Sequence, residues 1–259
     1  MNNDPAETAT GQPKCPFCAF GLIVTGEGER EFLPDLFTSL MQRAGCSFTV
    51  LTQIGQRSPI TAGARKMKMV GSGMVIPTSD EEKIGLPARR FLRGQPCHFV
   101  ILIDDAEAAR RPILDKVFHR YRIALDTMLL PEERSRAAVH FLANMVESYY
   151  FAHSQAVNNA LGAQVLNGDY SGDVEEIGHP KNDLKQRHPS FDEKADGEEI
   201  AANLDLNHIL NDPKACAFLR ALFAWCVRQL MAHCPVYDAN LSTYYQILVG
   251  VQSPLTRNQ

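Results

Sequence analysis

Phe20-Gly21-Leu22-Ile23-Val24-Thr25-Gly26-Glu27-Gly28-Glu29-Arg30-Glu31 decides the fold, because an unbroken apolar run drives straight into a glycine-spaced knot of carboxylates. Residues 19–24 are apolar without alternation, as a parallel strand covered on both faces should be. Phe32, Leu33, Leu36, Phe37, Leu40 and Met41 follow at helical spacing, and Gly45 closes that helix. Residues 47–54 then read as a second strand, rich in β-branched and apolar residues. Strand, helix and strand within about 35 residues make a βαβ unit.

A second apolar run, residues 99–103, ends the same way, in Asp104-Asp105-Ala106-Glu107. A helix over residues 80–93 leads into it. Pro112 suits the first turn of another helix that runs to Met128. Residues 138–145 read as a fourth strand, 147–161 as a helix closed by Gly162, and 213–232 as a long helix with Asp212 as its N-cap. Residues 55–77 read as a long Gly-rich basic loop with room for a short helix, and residues 167–197 as polar loops with one short helix at 181–186. The expected architecture is α/β, a mostly parallel sheet flanked by helices. Its parts are a flexible amino terminus (1–17), an α/β domain (18–165) and a loop-rich, helical carboxyl-terminal extension (166–259).

The chain has 259 residues, 45% hydrophobic, enough for a substantial core. A net charge of -4 gives no global attraction to nucleic acid or acidic membranes, so a polyanion would have to be met by a local basic patch or through metal ions. No stretch approaches the roughly 18 apolar residues needed to span a bilayer. Seven cysteines, an odd number lying mostly in apolar runs, read as buried thiols of a reducing cytosol rather than a disulfide frame. Cys15-Pro16-Phe17-Cys18 looks like half a zinc knuckle, but no second close Cys pair accompanies it, which argues against structural zinc.

Ligands of open α/β sheets sit beyond the carboxyl ends of parallel strands. Two such ends carrying acids would make a site for Mg2+ or Mn2+, hard ions that favour carboxylate and water. The candidate ligands are Glu27 and Glu29 after the first strand and Asp104, Asp105 and Glu107 after the third, with Glu29, Asp104 and Asp105 as the catalytic set. Asp105 and Glu107 share a side if the strand extends through them. The plainer alternatives are helix-start acids complementing a dipole and a solvated loop. Glu147 could reach the same crevice but reads slightly better as a helix-start acid. Arg57, Arg65, Lys66 and Lys68, joined by Arg89, Arg90, Arg93, Arg110 and Arg111, could track a phosphodiester backbone if the metal site exists.

A strand ending in a Glu-Gly-x-x-Glu-like turn, a helix, a second strand, and a later strand ending in an Asp-x-Asp-like pair resemble a TOPRIM domain, the fold shared by topoisomerases, primases and OLD-family nucleases. The tail, Phe191-Asp192-Glu193-Lys194-Ala195-Asp196-Gly197 through Leu204-Asp205-Leu206 and the Cys216-Ala217-Phe218-Leu219 helix, is similar to that of a stand-alone bacterial TOPRIM-like branch. The resemblance implies a Mg2+-dependent centre that cleaves phosphodiester bonds of DNA, with an AAA- or ABC-type ATPase as partner in defence against foreign DNA. It matches Glu29 to the second Glu of the turn and Asp104 to the strand-end acid. Thr25 stands where the family has its catalytic Glu, and Ala106 stands at the second Asp unless the register slips so that Asp105 and Glu107 serve. Two alternatives follow: a catalytically degenerate scaffold that binds nucleic acid or a partner ATPase, and an RNA-cleaving toxin. The expected setting is cytoplasmic, off the membrane, with room for a homo-oligomer.

Overall fold

The computed structural model describes residues 15–55, 79–144, 146–234, 240–241 and 249–259. Four strands, β1 (Cys18–Val24), β2 (Cys46–Gln53), β3 (His98–Ala106) and β4 (Ala137–Ala143), form one sheet in the order β2-β1-β3-β4. Every pairing is parallel, so the molecule is α/β as its alternating pattern requires. The chain leaves β1 for β2 on one side and later enters β3 on the other. The crevice beyond Val24 and Ile103, which are register partners, is therefore a topological switch point.

Strand residues alternate between two buried layers. Phe20, Leu22, Val24, Phe99, Ile101 and Ile103 face a layer built by α1 (Glu27–Leu36), α2 (Thr38–Arg43) and the carboxyl-terminal helices. Ile23, Val100, Leu102 and Ala106 face the other layer, built by α3 (Ser79–Leu92) and α4 (Leu114–Met128). Gly21 lies under α3, where a Cβ would come within 2.9 Å of the Phe91 ring. The helical carboxyl-terminal region comprises α5 (Ser154–Ala160), α6 (Pro180–Arg187), α7 (Ala195–Asn203), α8 (Leu206–Ile209) and α9 (Ala217–His233). Residues Leu219 to Val227 of α9 are all buried, so this helix sits inside the core rather than on it. No described helix is long and apolar enough to cross a membrane.

Several expectations are corrected. The single helix expected over residues 32–41 breaks at Phe37, whose ring turns inward to stack on Phe48 at 4.0 Å and on Phe223 at 5.2 Å. The helix expected over 147–161 divides into a 3-10 segment, Val146–Ala152, and α5. Residues 146–151 are buried in succession, which a one-sided amphipathic α-helix cannot achieve. The long helix begins at Ala217, and Asp212 is not its cap: Cys216 occupies that position with φ 57°. The carboxylate of Glu175 instead accepts the Phe218 and Leu219 amides at 3.1 Å.

The cysteines depart most from expectation. Cys15 is bonded to Cys97 and Cys18 to Cys234, which leaves Cys46, Cys216 and Cys226 as buried thiols. A reading of sequence spacing misses these pairs because they close loops of 82 and 216 residues.

Candidate metal centre

Gly26 opens the site. A Cβ on it would collide with the Glu29 carboxylate, so the glycine lets that side chain fold back over the turn between β1 and α1. Glu29 is thereby buried although it lies in the first turn of a helix. Glu27, one of the expected ligands, points elsewhere. It is well exposed and bonds Lys194 at 2.8 Å, with Glu31 3.7 Å from the same ammonium, so this pair latches the start of α7 to α1.

β3 runs on through its acids to Ala106, and this extension separates two neighbouring aspartates. Asp104 follows the parity of Leu102 and lies on the α4 face. Its Oδ1 accepts from Thr25 Oγ1 at 2.8 Å, from the Asp105 amide at 2.8 Å and from Arg110 Nη1 at 3.2 Å. Its Oδ2 accepts from Arg110 Nη2 at 2.7 Å and Tyr121 Oη at 2.9 Å. Asp104 is wholly buried and both of its oxygens are taken, so it braces the strand end and is not free to bind an ion. Arg110 is not part of a backbone-tracking patch: its side chain is 7% exposed and is spent on Asp104 and on the Asp105 carbonyl at 2.8 Å.

Asp105 follows the parity of Ile103 and faces α1. There it meets Glu29 in a side-chain hydrogen bond, with Glu147 close enough to act on it electrostatically. Burial, then the charges of Glu29, Asp104 and Glu147, hold the Asp105 carboxyl well above the usual carboxylate range. Burial also raises Glu29, against the hydrogen bond it receives from Asp105. It raises Glu147 too, with Lys181 opposing and Glu29 adding to the shift. Glu29 Oε2, Asp105 Oδ1 and Glu147 Oε2 are buried with no hydrogen-bond partner among the described residues. Such atoms are costly to leave unpaired and need an explanation.

Asn144 (φ 52°) follows β4 and donates to the carbonyls of Glu175 and Ile177 at 3.1 and 2.8 Å. It helps to line a cavity of about 320 Å3 together with Glu107, His179, Lys181 and Asn182. Glu107 is exposed in the turn after β3, where its carbonyl accepts from the Arg110 and Arg111 amides, so it leaves the extended path that would have aligned it with Asp105. Arg57, Arg65, Lys66 and Lys68 lie outside the described residues.

Among the described residues, no three His, Cys, Asp or Glu side chains are arranged to hold a metal ion between them. The crevice offers two carboxyls in direct contact, Glu29 and Asp105. Two is a number that suits Mg2+, which keeps several waters and takes one or two protein carboxylates plus substrate phosphate. Their orphaned oxygens and proton-sharing contact fit such an ion, because a divalent cation replaces the proton that two adjacent buried carboxyls must otherwise share. Sequence reasoning narrowly preferred a helix-start acid for Glu147, and its one signal was an acid within the largely apolar 146–151 run. Nothing in the spacing pointed to Arg110 or Tyr121 as partners of Asp104. No protein-family model, curated protein or solved structure matches this chain.

Proposed function

We propose that this crevice is a TOPRIM-like, Mg2+- or Mn2+-dependent centre for phosphodiester hydrolysis, with DNA as its first substrate. The observation that carries the reading is the buried Glu29–Asp105 contact, with unpaired oxygens, at the switch point of a parallel sheet. Glu29 and Asp105 would hold the ion. The chemistry such an ion would supply there is Lewis-acid polarisation of the phosphorus centre, activation of a water and neutralisation of the leaving oxygen.

The chain's own residues do the rest. Asp104, clamped by Arg110, Tyr121 and Thr25, fixes the end of β3 so that Asp105 is presented to Glu29. Gly26 lets Glu29 return over the turn. Glu147, whose carboxyl burial pushes above the ordinary range, would take or give a proton beside the pair. Lys181, ion-paired with Glu193, and His179 line the cavity beyond Asn144, where an entering phosphate would compete with Glu193 for the ammonium. The resemblance in the acidic turn and tail adds an AAA- or ABC-type ATPase as partner and foreign DNA as target.

The second reading, a scaffold that binds without cutting, is favoured by Thr25 at the family's catalytic position and by the complete occupation of Asp104. Plasmid nicking separates the two. The first reading expects Mn2+- or Mg2+-dependent cleavage that falls by about a hundredfold or more in Glu29→Gln and Asp105→Asn, both still folded. Cleavage undiminished in these variants removes the assignment, and no cleavage of DNA or RNA with either ion, alone or with an ATPase, leaves the scaffold.

A further inference from the structure

Cys15 and Cys18 have the spacing of half a tetrathiolate metal site, and the fold supplies the missing half. Cys97 immediately precedes β3 and Cys234 immediately follows α9. The Cys15 amide donates to the His233 carbonyl at 2.7 Å, and the Ala19 amide donates to the Cys97 carbonyl at 3.1 Å, so both distant cysteines lie against the Cys-x-x-Cys segment. The bonds Cys15–Cys97 and Cys18–Cys234, with Cα separations of 5.7 and 6.3 Å, gather all four sulfurs at the amino end of the sheet, opposite the carboxylate crevice. Cys15, Cys18 and Cys234 are buried, and Cys97 is half-buried, which gives a reductant or an ion a way in.

We propose that these four cysteines, once reduced, bind one Zn2+ as a tetrathiolate, so that the amino end of the sheet has a disulfide form and a zinc form. The conversion balances: two disulfides take four electrons and four protons from a dithiol reductant and yield four thiols. Coordination then releases the thiol protons to solvent, because the thiolate is the ligand. Four ligands from three separate parts of the chain suit a closed tetrahedral site, the usual form of structural zinc. Arg136 donates to the His98 carbonyl at 3.1 Å, one residue from Cys97, and places a cation beside the negative charge that such a site carries. While the sulfurs are paired, no set of three ligands stands ready for a metal among the described residues, so binding requires reduction.

Co2+ is the probe. The full chain, reduced without oxygen and freed of reductant, is titrated while the thiolate-to-cobalt charge-transfer and tetrahedral d–d bands are followed, and Zn2+ is then added. The proposal expects saturation at one ion per chain, loss of the bands on adding Zn2+, no bands for the oxidised protein, and none for Cys18→Ser or Cys97→Ser. Absence of thiolate bands in reduced wild-type protein that remains folded by circular dichroism overturns it, as do unchanged bands in either variant. Should a variant fail to fold, the wild-type comparison before and after reduction decides alone. Carboxylates give no thiolate bands, so the outcome is independent of the Glu29–Asp105 centre.

Discussion

The two faces of β3 treat adjacent aspartates in opposite ways. On the α4 face, Asp104 is surrounded by an arginine, a tyrosine, a threonine and a backbone amide, all within 3.2 Å. On the α1 face, Asp105 meets another carboxyl, has a third nearby, and keeps one oxygen without a partner. Both are buried, so burial alone does not mark a functional acid. The difference lies in what surrounds the charge. A desolvated carboxylate fully paired with a cation and hydrogen-bond donors is a brace, whereas desolvated carboxyls facing each other raise the cost of their own ionisation and are poised for a cation from solution.

The largest effect should come from breaking the brace. Arg110→Ala leaves Asp104 buried and uncompensated, and should cost about 3–5 kcal/mol in urea unfolding.

A third buried carboxyl sharpens the contrast. Glu175 caps α9 and receives Tyr149 Oη at 2.9 Å, yet burial outweighs these bonds and pushes it up to about 7. Because its folded pKa lies above the ordinary value, its contribution is fully present below about pH 4.5 and is lost as pH rises through 7. Unfolding measured across that window should show about 3 kcal/mol of decline from this group. Glu175→Gln should flatten that slope, and an unchanged slope would show that burial does not dominate there.

Smallest is a paired test at β3 itself. Tyr121→Phe removes one hydrogen bond to Asp104 and should lose about 1–2 kcal/mol. Asp105→Asn relieves carboxyl repulsion and, without divalent ions, should leave stability at neutral pH equal or higher by up to about 1 kcal/mol. Equal losses in the two variants would erase the distinction between the faces.

Much of the fold was legible because parallel strands buried on both faces declare themselves as unbroken apolar runs, as residues 20–24 and 99–103 do. The acidic crevice was legible in outline for the same reason, since strand ends locate it. Which aspartate faces it was not, because the answer depends on β3 continuing in extended form to Ala106 and on α4 delivering Tyr121. Glu27 and Glu29 look alike in sequence, and only the fold-back over Gly26 and the reach of Lys194 from α7 part them. The disulfides stayed hidden because their partners are adjacent only once β3 and α9 are in place.

Calorimetric titration of Mn2+ into disulfide-intact wild-type protein and the Glu29→Gln/Asp105→Asn double variant tests the central assignment most directly. The account predicts saturable binding to the wild type that disappears in the folded double variant and survives in Glu27→Gln. A folded wild type that binds no Mn2+ at millimolar ion, or a double variant that binds as well as wild type, would contradict it.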